Sequence, residues 1–487
     1  MTKKIKKYKY FIVITGLALF FRLYNIEKYF AFAHDQDLYS WIAKDIINRD
    51  PLRLVGQITS VDGVFIGPFY YYLMALFYLL FRMNPLSAII PTVGIGIVTV
   101  FSFYWVLKEF YGKKVALTAA FIYAVSYGAA NFDRWSVPTQ PTILWSIWFF
   151  YVVLMSLKGD KKIIPLYGLL IGLTWHIHIA LAPILILPPI AWIWGKNSVK
   201  RIDRKVLFWF IASLLLTTLP FWLFEIKTDF SQIKSVLAAS QRNIGEASGF
   251  YRLEKTMDLS AKEILCMIMG GLGRIDYRLV WIISAVTVAY LTIKGNIKKK
   301  EAGLITLWVF LVLIAQFMSK RGISEYYFAN LTPLFVIFLA MVLTRVIATK
   351  KIVGLILVTA YFVINLNWSL TRTDWGGSYY YRNKLMDYIK EDYTKKNYPC
   401  ASVNYIADFG SGVGFRYLFW YKGIQLVKAF PGVPAYNIVV PWAKSGDEVD
   451  VVYGDFGVIL PEEREYAFDL DCHSKEMDPD PLLGFTD

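Results

Sequence analysis

The stretch GPFYYYLMALFYLLF, residues 67–81, decides the fold. It is apolar from Phe69 to Phe81, opens on Tyr70, Tyr71 and Tyr72, and is short. Apolar runs of about 10–14 residues tend to lie at a membrane interface or re-enter it, because about 20 residues are needed to span. If this run crosses, every later segment reverses its orientation. Charge arbitrates between the two arrangements. With the run at the outer interface, spans fall at residues 10–24, 86–107, 115–130, 139–157, 163–179, 180–194, 206–224, 277–293, 302–318, 327–343 and 352–370. The basic loops then all face inward: Lys108 with Lys113 and Lys114, Lys158 with Lys161 and Lys162, residues 196–205, residues 294–300, and Arg345 with Lys350 and Lys351. The other choice places all of them outside, against the positive-inside rule. The pattern predicts about eleven spans, with residues 69–81 dipping into the outer interface.

Composition agrees with a polytopic α-helical membrane protein. The 487 residues are 56% hydrophobic and 18% charged, against about 45–50% apolar and about 25% charged in soluble domains. The mean hydropathy is +0.43. A net charge of +15 is compatible with nucleic-acid binding in the abstract. Here the cations cluster in short loops between apolar runs, which is the membrane pattern, and no nucleic-acid partner is expected. Three cysteines without CxxC or Cys/His spacing argue against structural zinc. The first span follows Lys3, Lys4, Lys6, Lys7 and Lys9 and has no small-residue cleavage site, so it reads as a retained anchor.

This topology leaves residues 25–85, 131–138, 225–276 and 319–326 outside, and the chain leaves the membrane for good near Thr371. In the first loop, Leu38, Ile42 and Ile46 recur at helical spacing and predict an amphipathic surface helix. The stretch 225–276 predicts surface helices around 230–237 and 261–269. Residues 371–487 have a different texture: helix at 380–391, strand at 401–406, helix at 412–420, and strands near 437–440 and 458–460. They predict a small extracytoplasmic α/β domain. Cys400 and Cys472 lie within it, either bonded or as two free thiols.

Four external clusters can carry chemistry. In His34-Asp35-Gln36-Asp37-Leu38-Tyr39, local rules make Asp35 a helix N-cap and Asp37 a first-turn acid. The functional alternative is a carboxylate base at the rim of a membrane cavity. In the loop 131–138, Asp133, Arg134 and Trp135 are either interfacial anchors or contacts to phosphate and sugar. His176 and His178 close the span 163–179; two residues apart on a helix they face different sides, which excludes a bidentate metal pair. They are either packed histidines or substrate contacts. In Lys320-Arg321-Gly322-Ile323-Ser324-Glu325-Tyr326-Tyr327, cations sit on the disfavoured side, as lipid anchors or as a phosphate site.

Taken together, "HDQDLYSW", "LVGQITS", "GPFYYYLMA", "NFDRWSVPTQP", "GLLIGLTWHIHIALAP", "LPFWLFEIKTDF" and "EYYFANLTP" occur in the order found in GT-C superfamily glycosyltransferases. The chain resembles family 39 and the RgtA/B/C/D-like group, relatives of protein O-mannosyltransferases and aminoarabinose transferases. The resemblance implies a GT-C transmembrane domain over residues 1–370 and the separate external domain over 371–487. It also implies a sugar donor on a polyprenyl phosphate, an acceptor glycan, lipid or protein, and transfer with inversion on the external face of the cell membrane. The family's first-loop Asp maps onto Asp35, with Asp37 as the fallback, and its second-loop Arg maps onto Arg134. Some relatives carry Lys before the interfacial Pro where this chain has Gly67, and an acid after the second-loop Arg where it has Val137-Pro138-Thr139; Asp133 is then the nearest second acid.

The expected enzyme is a polyprenyl-phosphate-sugar-dependent transferase of the hexosyltransferase class. Asp35 serves as base, with Asp37 beside it. His34, Asp133, Arg134, Trp135, His176, His178, Lys320, Arg321 and Tyr326 contact substrate, Arg321 with Lys320 or His176 holding the phosphate. No cofactor is expected, and a divalent metal is possible but not indicated. A transporter or lipid flippase is the alternative; it calls for polar residues at mid-membrane and paired repeats, whereas these charges lie in external loops and no two-half repeat is visible.

Overall fold

A computed structural model describes residues 3–49, 52–195, 202–241, 248–270, 275–319, 321–372, 376–407, 414–446, 448–462, 472–474, 477–480 and 482–486. The apolar helix α1 (Lys3–Leu23) leads into three helices of the first loop: α2 (Ile26–Tyr29), α3 (His34–Asn48) and α4 (Phe69–Leu80). The run that decides the topology is thus a helix of 12 residues. At about 1.5 Å per residue it reaches about 18 Å, well short of a hydrocarbon core of about 30 Å. One face packs inward through Tyr70, Tyr71, Met74 and Tyr78, while Phe69, Leu76, Leu79 and Leu80 are at least half exposed. A bare apolar face suits a helix bedded in lipid.

Helix α5 (Ile89–Val125) is continuous in hydrogen bonding but broken in direction at Gly112, where φ is 80°. The rings of Phe103 and Tyr123 lie 5.0 Å apart. Twenty residues along a straight helix would separate them by about 30 Å, so the chain reverses at Gly112 into two antiparallel legs. Only glycine adopts this left-handed backbone without strain. The two legs correspond to the expected second and third spans, with Lys113 and Lys114 just past the reversal.

Next come α6 (Tyr127–Arg134), α7 (Thr142–Lys158), α8 (Ile164–Ile177), a 3-10 segment at Ile179–Ile186, and α9 (Leu187–Trp194). They are followed by α10 (Arg204–Lys227), α11 (Ser231–Gln241), α12 (Gly249–Met269), α13 (Tyr277–Ile293), α14 (Lys299–Met318), a 3-10 turn at Glu325–Leu331, α15 (Thr332–Thr349) and α16 (Lys351–Thr371). Among the described residues, five stretches are long and apolar enough to cross a membrane: Pro85–Val125, Arg204–Lys227, Lys299–Met318, Glu325–Thr349 and Lys351–Thr371. The protein is a polytopic helical membrane protein. Its first helix is bolted to the bundle by Arg22, which is fully buried and pairs with Asp133 at 2.7 Å.

The tail folds as α17 (Tyr379–Lys395), β1 (Ser402–Ala407), α18 (Arg416–Tyr421), β2 (Ala435–Val440), α19 (Trp442–Ser445), β3 (Val451–Tyr453) and β4 (Phe456–Ile459). The sheet order is β1-β2-β4-β3, with β1 parallel to β2 and the other pairs antiparallel. Strand β3 and helix α19 are absent from the sequence-based expectation, because three or four residues carry too little periodicity to register. The expected helix at 412–420 begins only at Arg416, and residues 412–413 lie outside the described residues. Cys400 and Cys472 are bonded to each other.

The packing does not stop at residue 371. One hydrophobic core fills the helical bundle, and a second joins the first loop to the tail. Phe30, Phe32, Tyr39 and Tyr78 of the loop pack with Tyr379, Leu385, Tyr417 and Ile438 of the sheet domain. Each such side chain contributes about 1.5–3 kcal/mol when buried. The last residues return as well: Thr486 Oγ1 donates to the Gly56 carbonyl at 3.0 Å, and the Ile58 amide donates to the Gly484 carbonyl at 3.3 Å.

Candidate active site

Helix α3 carries the first cluster. The position before its first turn is Ala33, so Asp35 is not the N-cap that local rules suggest. Gln36 takes that task with its side chain, accepting from the Ala33 amide at 3.0 Å while its Nε2 donates to the Ser136 carbonyl at 2.8 Å. Tyr70 reaches the Ser136 hydroxyl at 2.8 Å. The loop that carries Ser136 is thereby tied to both α3 and α4.

Asp35 and Asp37 part company on this helix. Residues two apart are turned by about 200°. Asp37 is fully buried, and its carboxylate accepts from the backbone amides of Tyr417 at 2.6 Å and Arg416 at 3.1 Å. Burial pushes its carboxyl up to about 6, although the amides and the charge of Arg382 pull the other way. The expectation of a second catalytic acid beside Asp35 is corrected by this geometry: Asp37 is turned away and its oxygens are taken. Asp35 is half-buried, and among the described residues its side chain has no hydrogen-bond or ion-pair partner. It stands within electrostatic reach of Tyr70, Tyr71 and Tyr326.

An aromatic wall rises beside it. Tyr326 meets Trp135 edge-on at 5.5 Å, His178 at 5.9 Å and Tyr327 at 4.6 Å, and His178 lies over Tyr327 at 4.7 Å. Three segments distant in sequence thus meet at Tyr326, the ring within electrostatic reach of Asp35. His34, next to Asp35, has a buried Nδ1 with no partner.

Other expected site residues are committed to the protein. Asp133 is held by Arg22 and by the Tyr123 hydroxyl at 2.8 Å, so it is not an open second acid. His176 accepts from the Phe69 amide at 3.3 Å and bonds the Thr217 carbonyl at 2.7 Å, which pins the start of α4 and closes both ring nitrogens to substrate. Arg134 stacks 3.9 Å over the Tyr29 ring and bonds the Ala130 carbonyl and Asn131, leaving its buried Nη1 without a partner. Arg321 is half-buried and reaches the Ser60 carbonyl at 3.5 Å. Lys320 lies outside the described residues.

One contributor escapes sequence reasoning. Arg252, buried on α12, bonds the carbonyls of Phe317 at 2.9 Å and Arg321 at 2.9 Å and so shapes the loop that bears Arg321. No local pattern marks it. Tyr327, which closes the fourth cluster but is not among the expected substrate contacts, completes the wall.

Residues 66–224 match the family model of dolichyl-phosphate-mannose-protein mannosyltransferases. Among solved structures, the fold is similar to that of ArnT from Cupriavidus metallidurans bound to undecaprenyl phosphate, with a TM-score of 0.63 at 11% identity over 94% of this chain and 99% of that one. Against the apo state of the same protein the TM-score is 0.61 at 10% identity, over 93% and 98% of the two chains. The oligosaccharyltransferase of Archaeoglobus fulgidus is a weaker likeness, at 0.48 and 16% identity over 88% of this chain and 68% of that one. A sequence comparison with curated proteins yields no match. The family model thus matches about a third of the chain, and nearly the whole chain shares the fold of the ArnT structures.

Proposed function

We infer that the protein transfers a sugar from a polyprenyl-phosphate-linked donor to an acceptor hydroxyl on the external face of the cell membrane. The observation that carries this reading is Asp35, a half-buried carboxylate with no bonding partner among the described residues, within electrostatic reach of Tyr326, whose ring meets Trp135 and His178. A base must be unengaged until its substrate arrives. The lipid class is supported by the undecaprenyl phosphate in the similar ArnT structure. The external side is supported by the distribution of basic loops and by the Cys400–Cys472 bond, which suits an oxidising compartment. The same distribution supports eleven spans with α4 lying at the outer interface.

In this mechanism the acceptor hydroxyl gives its proton to Asp35 as its oxygen attacks the anomeric carbon. The bond from that carbon to the phosphate oxygen breaks, and the lipid phosphate departs with the electron pair. A single displacement inverts the anomeric centre. The aromatic faces of Trp135 and Tyr326 suit a sugar ring, and Arg321 is the cation that meets the phosphate. Asp35→Asn is the test. Since Asp35 bonds no other described residue, the variant should express and melt as the wild type does. Transfer from a panel of phosphoundecaprenyl- and phosphodolichyl-linked hexoses should fall by about 10²–10⁴-fold, the usual worth of a general base. Undiminished transfer would overturn the assignment.

A further inference from the structure

The sheet domain grips the turn of α3 that bears Asp35, and it does so at three places along one stripe. Ala33, Asp37 and Trp41 recur at intervals of four and share a helix face. At Ala33, the backbone of Gly414 comes so close that a Cβ there would sit 2.8–3.0 Å from the carbonyl carbon, Cα and oxygen of Ala33. At Asp37, the buried carboxylate binds the amides of Arg416 and Tyr417. At Trp41, the ring meets Trp420 edge-on at 6.4 Å, and Lys44 Nζ lies 4.1 Å and 4.8 Å from the two ring centroids. Asp35 stands off this stripe, on the side that faces the membrane bundle.

We propose that Asp37 is a positioning residue, through which the C-terminal domain sets the place of the Asp35 carboxylate. This rests on the reading of Asp35 as the base. Apolar packing along the stripe holds α3 down but tolerates small rotations about its axis. Two hydrogen bonds from adjacent amides to one carboxylate are directional, and they fix that rotation. A base displaced by about 1 Å loses on the order of 10²-fold in rate. The domain is therefore part of the catalytic apparatus without touching substrate.

The clip can be opened from either side in the full-length protein. Asp37→Ala removes the acceptor, and Gly414→Ala, strained at its φ of 117° and crowding the Ala33 backbone, perturbs the contact from the sheet-domain side while every side chain of α3 is kept. Hydrogen exchange at residues 33–39 and the kinetics of transfer from the phosphoundecaprenyl or phosphodolichyl hexose used by the wild type are the two readouts. Expected in both variants are faster exchange at residues 33–39 and a kcat reduced about 10–100-fold, with the donor KM within about 2-fold, since the loss lies in the chemical step. Asp37→Glu should recover part of the kcat, because it keeps the acceptor. Wild-type kcat in a folded Gly414→Ala protein, or unchanged exchange, overturns the proposal. If exchange quickens while Asp35→Asn remains active, it is the base assignment that falls, and the positioning role falls with it.

Discussion

Asp37 also gives the protein a measurable dependence of stability on pH. Its carboxyl rises from the ordinary 3.8 to about 6 on folding, because desolvation outweighs the two amide bonds and the charges of Arg382 and His34. Arg416 and Tyr405 face the same group. A folded value above the unfolded one means that the fold favours the protonated form. That stabilisation is complete below about pH 4 and is lost as the pH rises through about 6. About two units correspond to about 3 kcal/mol. Asp37→Asn cannot ionise, so it escapes this loss; it offers one oxygen to two amides and leaves one N–H orphaned, at about 1–3 kcal/mol. Near neutral pH the two effects almost cancel. At pH 4 only the orphaned amide remains, and the wild type is the more stable protein. The difference between the two proteins should therefore change by about 3 kcal/mol between pH 4 and pH 7.5, in favour of the wild type at the acid end. Thermal melting of the detergent-solubilised full chain at several pH values reads this as a relative shift of a few degrees. Parallel melting curves across the range would refute the reasoning.

Arg22→Met leaves Asp133 charged and buried, and should cost about 3–5 kcal/mol; the double change with Asp133→Leu should recover most of that in the same melting assay. Gly67→Ala would place a Cβ 2.3 Å from His176 Nδ1, breaking the contact that starts α4; a loss of about 1–3 kcal/mol is expected, again by melting. A cysteine at Asn84, in a background where the exposed Cys266 is Ser, should react with an impermeant thiol reagent from outside intact cells. Labelling only after permeabilisation would place α4 across the membrane.

The bundle was legible because its signal is local. Each expected apolar run is helical, and the shortness of the run at 69–81 is visible in the letters themselves. Charge patterning puts Asp35 at one level with Arg134, His176 and Arg321; in the structure it is the rings of Trp135, His178 and Tyr326, from those same loops, that meet. What stayed hidden depends on partners far away in the chain. Nothing near Asp133 announces Arg22, 111 residues upstream. Nothing near Asp37 distinguishes it from Asp35, because the amides that claim it belong to a helix 379 residues further on. The boundary at 371 was drawn from texture, and texture does not reveal that two aromatic clusters fuse into one core.

The same separation has a consequence in time. A ribosome adding about 5–20 residues per second needs about 20–75 s to travel from Asp37 to Arg416. Throughout that interval the first loop has emerged with an ungripped carboxylate and a face of unpaired aromatic side chains. Gly484 and Thr486 arrive later still. A nascent chain halted anywhere before Arg416 therefore holds Asp35 on a helix that lacks the two amides that bind Asp37.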